Sequence, residues 1–179
     1  MDLLIVAGEA SGDEHASLVV EELLERAAGL SVSALGGARL EEKGASLLFN
    51  LVDHSVVGIF EVLKNYGFFK KLFRQTLNWI EERKPRVVLL VDYPGFNLRL
   101  AKELKDRGLS VKGGGDIKVL QYVSPQLWAW KPKRRFLMEE TLDGLAVLFP
   151  FELVSYKDVD LPVTFVGHPF VQADDHSPI

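Results

Sequence analysis

Short aliphatic runs alternate with longer amphipathic stretches along most of this 179-residue chain. Leu3 to Ala7 is continuously apolar, the pattern of a parallel strand covered on both faces. Ser11 to Ala28 follows with helical spacing, in which Leu18, Val19, Glu22 and Leu23 divide into an apolar and a charged face. Ser31 to Leu35 reads as a second strand closed by Gly36 and Gly37. A short helix, Ala38 to Lys43, ends at Gly44, where glycine commonly terminates helices. A long helical region is expected from about Gly58 to Lys84, interrupted at Gly67 and stopped by Pro85. Arg86 to Val91 is the next buried strand, Phe96 to Arg107 a helix ending at Gly108, and Ile117 to Val123 a strand. Asp143 to Phe149 and Val163 to Val166 complete the strands. Lys112 to Asp116, with three consecutive glycines, reads as a flexible surface loop. Strand–helix alternation of this kind implies right-handed crossovers and an α/β fold, a Rossmann-like doubly wound parallel sheet. The polar, patternless stretch from Gln172 to Ile179 is expected to fray.

Composition changes this picture little. Hydrophobic residues make up 47% and charged residues 26%, enough for a core without staples. Zero cysteines exclude disulfides, thiolate zinc sites and cysteine nucleophiles. A net charge of −4 argues against a nucleic-acid binder, which needs a basic footprint. No run approaches the ~20 apolar residues of a membrane span. The opening MDLLIVAGEASGD lacks a basic start and a long apolar run, so it reads as a strand rather than a leader, and a cytoplasmic location is expected.

In open α/β sheets, ligands bind beyond the carboxyl ends of the strands, so the segments after each strand matter most. After the first strand comes GEASGD, Gly8 to Asp13. Gly8 and Gly12 permit a tight turn, and Ser11 or Asp13 could cap the next helix. The segment is neither a P-loop nor GxGxxG, so no nucleotide fingerprint applies. A plain turn and a loop binding a hydroxyl-rich or anionic ligand fit it equally well. After Arg86–Val91 comes VDYPGFN, in which Asp92 is either an Asx-turn or N-cap residue or a carboxylate projecting into the crevice. After Ile117–Val123 comes YVSPQLWAWKPKRR. There Trp128 and Trp130 could stack on a sugar or pack as core, and Lys131, Lys133, Arg134 and Arg135 could hold a phosphate or form a solvated helical turn. FPFE (Phe149 to Glu152) and FVGHPF (Phe165 to Phe170) follow the last two strands, and His168 reads as an exposed turn residue.

Taken together, GEASGD, VVGIFEVL, VDYPGFN, YVSPQLWAW, FPFE and FVGHP resemble, in order and rough spacing, the lipid-A-disaccharide synthases, over Met1 to about Val171. The resemblance implies one N-terminal lobe of a two-lobed GT-B type glycosyltransferase. Residues 1–171 would form the acceptor-binding domain, and 172–179 a frayed tail or the start of a linker to a donor-binding lobe. It implies metal-independent, cofactor-free inverting transfer of a diacylglucosamine unit from UDP to diacylglucosamine 1-phosphate. Asp92 would be the general base, because it matches the Asp of the family's DxPxFN segment; Gly95 stands where some members carry a second acid. Glu9, Ser11, Asp13, Asn97, Ser124, Trp128, Trp130, Arg134 and Arg135 would contact substrate. The rival reading is a non-catalytic ligand-binding or scaffolding domain of flavodoxin-like fold.

Ile59 to Phe73 carries apolar residues over more than the ~100° arc of a core-facing stripe. Phe60, Val62, Leu63, Tyr66, Phe68 and Phe69 are therefore expected to dip into lipid, with Lys64, Lys70, Lys71 and Arg74 meeting anionic headgroups. That would place the protein peripherally on the inner face of the cytoplasmic membrane.

Overall fold

The computed structural model describes residues 1–55, 66–127 and 131–170. Its strands are β1 (Leu3–Ala7), β2 (Val32–Gly36), β3 (Ser46–Asn50), β4 (Val87–Val91), β5 (Lys118–Tyr122), β6 (Gly144–Val147) and β7 (Val163–Phe165). Its helices are α1 (Ala10–Arg26), α2 (Ala38–Glu42), α3 (Leu51–Ser55), α4 (Tyr66–Arg83), α5 (Pro94–Asp106) and α6 (Arg134–Thr141), with 3-10 turns at Val111–Gly113 and Pro150–Tyr156. The strands form one sheet in the order β3-β2-β1-β4-β5-β6-β7, and every pairing is parallel.

Alternation within each strand builds two cores. Leu3, Ile5 and Ala7 of β1 pack with Ala16 and Val20 of α1 and Leu40 of α2. Leu4 and Val6 face the other way, toward Leu77 and Ile80 of α4, Leu100 and Leu104 of α5, and Met138 of α6. Because β1 is covered on both faces, all five of its residues are buried. This is why it reads as an unbroken apolar run.

Three expectations need correction. A strand, β3, was not anticipated in SLLFN; it sits at the sheet edge with exposed and half-buried positions, so it lacks a core strand's continuous apolar signature. The expected interruption at Gly67 bears on the stretch 56–65, which lies outside the described residues; from Tyr66 to Arg83 the helix α4 is continuous. Neither Ser11 nor Asp13 caps α1. The N-cap is Glu9, without a side-chain bond, and Asp13 caps the β2–α2 turn instead, accepting from the amides of Gly37 (2.6 Å) and Arg39 (3.1 Å). The glycine run is a tightly packed turn rather than a loose loop. A Cβ on Gly113 or Gly115 would collide with the carbonyls of Lys105 or Leu109, and the Gly113 and Gly115 amides both donate to Ser110 O at 2.8 Å.

Candidate active site

The direction of chain progression reverses between β1 and β4, so the segments leaving these neighbouring strands diverge and open a crevice. Glu9 stands on one lip, exposed at the start of α1. Asp92 and Tyr93 form the other, directly after β4, and both adopt left-handed backbone (φ 47° and 46°). Two such residues in succession, neither of them glycine, store about 1–3 kcal/mol of strain each, a cost found mainly at functional turns.

Side chains buried behind the turn hold it in place. The Asp92 carbonyl accepts from Asn97 Nδ2 (2.8 Å) and Gln121 Nε2 (3.2 Å), and the Asp92 amide donates to Tyr122 O (3.1 Å). Asn97 Nδ2 also reaches Val91 O and Val6 O, which ties β1 to β4. The Tyr93 ring lies against Gly8 so closely that a Cβ there would overlap it, which explains a glycine at the end of β1.

The electrostatics follow from partial burial. Desolvation pushes the Asp92 carboxyl above its ordinary value, against the smaller pull of the Tyr93 amide and His15. Glu9 is also raised, by desolvation first and by the Asp92 charge second. His15, 8% exposed on α1, is lowered by desolvation and then by His168, against the pull of Glu14 and Asp92. Its Nδ1 is buried without a hydrogen-bond partner among the described residues. The crevice thus gathers two carboxyls of raised proton affinity and an imidazole of lowered affinity, groups able to exchange a proton with a bound hydroxyl.

A cavity of about 960 Å³ lies elsewhere. It opens at the amino ends of the strands, between α1 and the exposed faces of Val87, Leu89 and Leu120. Its lining is mostly aliphatic, and it marks a sheet face that α1 leaves uncovered, not a site of chemistry.

Residues 3–178 match the family model described as lipid-A-disaccharide synthetase. The chain belongs to that family. Lipid-A-disaccharide synthase 1 of Legionella pneumophila (strain Philadelphia 1) is 41% identical over 170 residues, covering 95% of this chain and 42% of the relative. The synthase of Nitrosococcus oceani is 41% identical over 92% of this chain and 41% of its own length, and that of Coxiella burnetii 36% identical over 96% and 43%. The chain therefore spans less than half the length of these curated relatives. Among solved structures, Acinetobacter baumannii MurG superposes with a TM-score of 0.52 at 16% identity, covering 97% of this chain and 47% of that one. That likeness supports the fold, a Rossmann-like parallel α/β sheet.

Within this synthetase-family lobe, the residues expected from sequence separate into groups. Asp92, Glu9 and Ser11, which is exposed in the first turn of α1, sit around the crevice. Asp13 (3% exposed) and Asn97 (0%) are buried and bonded to backbone, so they shape the crevice from behind. Ser124 is likewise internal, sharing a 2.7 Å hydrogen bond with the Tyr156 hydroxyl, whose burial pushes its pKa up to about 12. Arg135 is engaged with Asp158 through Nε and Nη2 (2.7 and 2.6 Å), while Arg134 is half-buried at the start of α6. Trp128 and Trp130 lie outside the described residues, as do Phe60, Val62 and Leu63. Phe68 and Phe69 are half-buried against the core and edge-on to each other at 5.6 Å. His168 is neither solitary nor fully exposed: its ring lies 5.4 Å from that of His15. His15 itself was missed, although it stands four residues after Ser11, the spacing that puts both on one helix face.

Proposed function

We propose that this chain is the acceptor-side lobe of a lipid-A-disaccharide synthase. The complete enzyme would join UDP-2,3-diacylglucosamine to 2,3-diacylglucosamine 1-phosphate, forming the β-1,6 disaccharide with release of UDP. Residues 1–171 would receive the acceptor, and 172–179 would lead toward a donor-binding lobe. The observation that carries this reading is Asp92, a carboxyl of raised proton affinity held in strained backbone at the sheet's switch point in a member of this family. As the acceptor 6-hydroxyl attacks the anomeric carbon, Asp92 would take its proton, and Glu9 would border the same space. Transfer needs donor and acceptor held together, so the 179-residue chain should bind the acceptor without turning it over. A titration with diacylglucosamine 1-phosphate, followed by an assay with added UDP-diacylglucosamine, tests both parts. Absence of acceptor binding, or turnover by the pure chain, would overturn the reading.

We further propose peripheral attachment to the inner face of the cytoplasmic membrane through the region 59–73. No described helix is long and apolar enough to cross a membrane. Because Phe68 and Phe69 are partly committed to the core, the exposed cations Lys70, Lys71 and Arg74 of α4 carry more of this reading than the rings do. Each cation near an anionic surface contributes about 1 kcal/mol. Replacing all three by Gln should weaken binding to phosphatidylglycerol vesicles roughly 100-fold at low salt, and unchanged partitioning would refute it.

A further inference from the structure

A line of rings leads away from the crevice. Phe170 stacks on His15 at 5.1 Å and 24°, and His168 lies 5.4 Å from both. Phe149 follows at 5.7 Å from His168, and Phe151 stacks on Phe149 at 5.5 Å and 15°. His15 is 8% exposed, whereas the three phenylalanines are open to solvent, Phe170 at 52%, Phe149 at 43% and Phe151 at 53%. The inner end is in electrostatic contact with Asp92 through His15.

The outer pair is held rigidly in this exposed position. Glu152 is buried, and its carboxylate accepts the amides of Leu148 (3.1 Å) and Phe149 (2.9 Å). Pro150, between the two ring residues, fixes the first turn of the 3-10 helix that Phe149 caps and Phe151 belongs to. A buried carboxyl that presents two large apolar rings to solvent is a costly arrangement for packing alone.

We infer that this ring track, from His15 and His168 to Phe149 and Phe151, seats an acyl chain of the lipid-linked acceptor. The inference rests on the reading of the chain as the acceptor lobe and adds the place where the lipid lies. An acyl chain suits the track for two reasons. No rings on the path other than the two imidazoles carry polar atoms, and the path is continuous with the crevice that would receive the sugar hydroxyl. A chain laid along stacked rings loses water from one methylene after another, so affinity grows with chain length.

The test is binding of the 179-residue chain to glucosamine 1-phosphates acylated with butyryl, octanoyl or dodecanoyl groups, each kept below its micelle concentration. Affinity should rise with chain length, up to roughly fourfold per fully buried methylene. Phe149→Ser with Phe151→Ser should flatten that rise and leave butyryl binding unchanged, whereas Phe151→Leu should keep most of it. Both rings are exposed, so a thermal melt should show the variants folded. An unchanged slope, or an equal loss for butyryl and dodecanoyl probes, overturns the inference. So does loss of vesicle partitioning with the slope intact, which would turn the rings toward a bilayer. A parallel series of alkyl glucosides separates the two readings. If no acylated sugar phosphate binds, the acceptor reading fails. The track then stands only if alkyl glucosides still bind in a length-dependent way that the variant loses.

Discussion

An Asp92→Asn variant of the enzyme complete with its donor lobe is expected to lose about 10²–10⁴-fold in transfer rate and to melt higher at neutral pH. The two effects share a cause. Burial raises the Asp92 carboxyl above the ordinary aspartate value of 3.8, so the folded protein holds that proton more tightly than the unfolded chain does. The stability this gives is fully present below pH 3.8 and is lost as pH rises through the folded value. At neutral pH the ionised group is therefore a burden, which Asn removes along with the basicity. Asn also tolerates left-handed backbone well and suits φ 47°. The gap in melting temperature between variant and parent should be widest near neutrality and should narrow toward pH 3.8. In the parent, kcat/KM should climb with pH through a value above that of a free aspartate. A near-normal rate with a lowered melting temperature would return Asp92 to a purely structural role.

Asp13→Ala should be the most damaging change to the fold near the crevice. Its carboxylate is buried and accepts the amides of Gly37 and Arg39, and the fit is tight enough that a Cβ on Gly37 would lie 2.6 Å from Asp13 Oδ2. Hydrogen bonds to charged groups contribute about 1.5–3 kcal/mol each, and one of the amides left unpaired is buried. A loss of about 2–4 kcal/mol is expected, lowering the melting temperature by roughly 5–15 °C for a chain of this size. Asp13→Asn, which keeps one acceptor oxygen, should fall between. Urea titration of both variants checks the order. If Asp13 touched substrate instead, Asp13→Ala would fold normally and lose acceptor affinity.

These two aspartates show what the sequence could and could not reveal. The position of Asp92 at the end of a strand was legible from local order: an apolar run, then a carboxylate, then Pro and Gly. A catalytic role for it was offered only by the family resemblance. The role of Asp13 was not legible, since the amides it holds lie on another strand–helix turn, 24 residues away for Gly37. Asn97 was misread as a substrate contact for the same reason; one of its carbonyl partners, Val6, is 91 residues distant. Both faces of β1 and β4 were plain from their unbroken apolar runs, while β3 hid because an edge strand is only half-covered. The glycine triplet suggested freedom, yet its missing side chains let the turn close onto Lys105 and Leu109. The aromatic track was invisible because its rings come from α1, the segment after β6 and the segment after β7.

The position of β1 also has a consequence for synthesis. β1 lies inside the finished sheet, and one of its edges stays open until Val87–Val91 has been made. At roughly 5–20 residues per second, that interval lasts several seconds. Throughout it, LLIVA offers an uncharged, β-prone edge, the type of segment that recruits other chains. The yield of soluble protein in a recombinant host should therefore depend more on how that nascent edge is shielded than on the stability of the finished fold. Slower growth temperature or extra nascent-chain chaperone should help more than any stabilising substitution in α6 or β7.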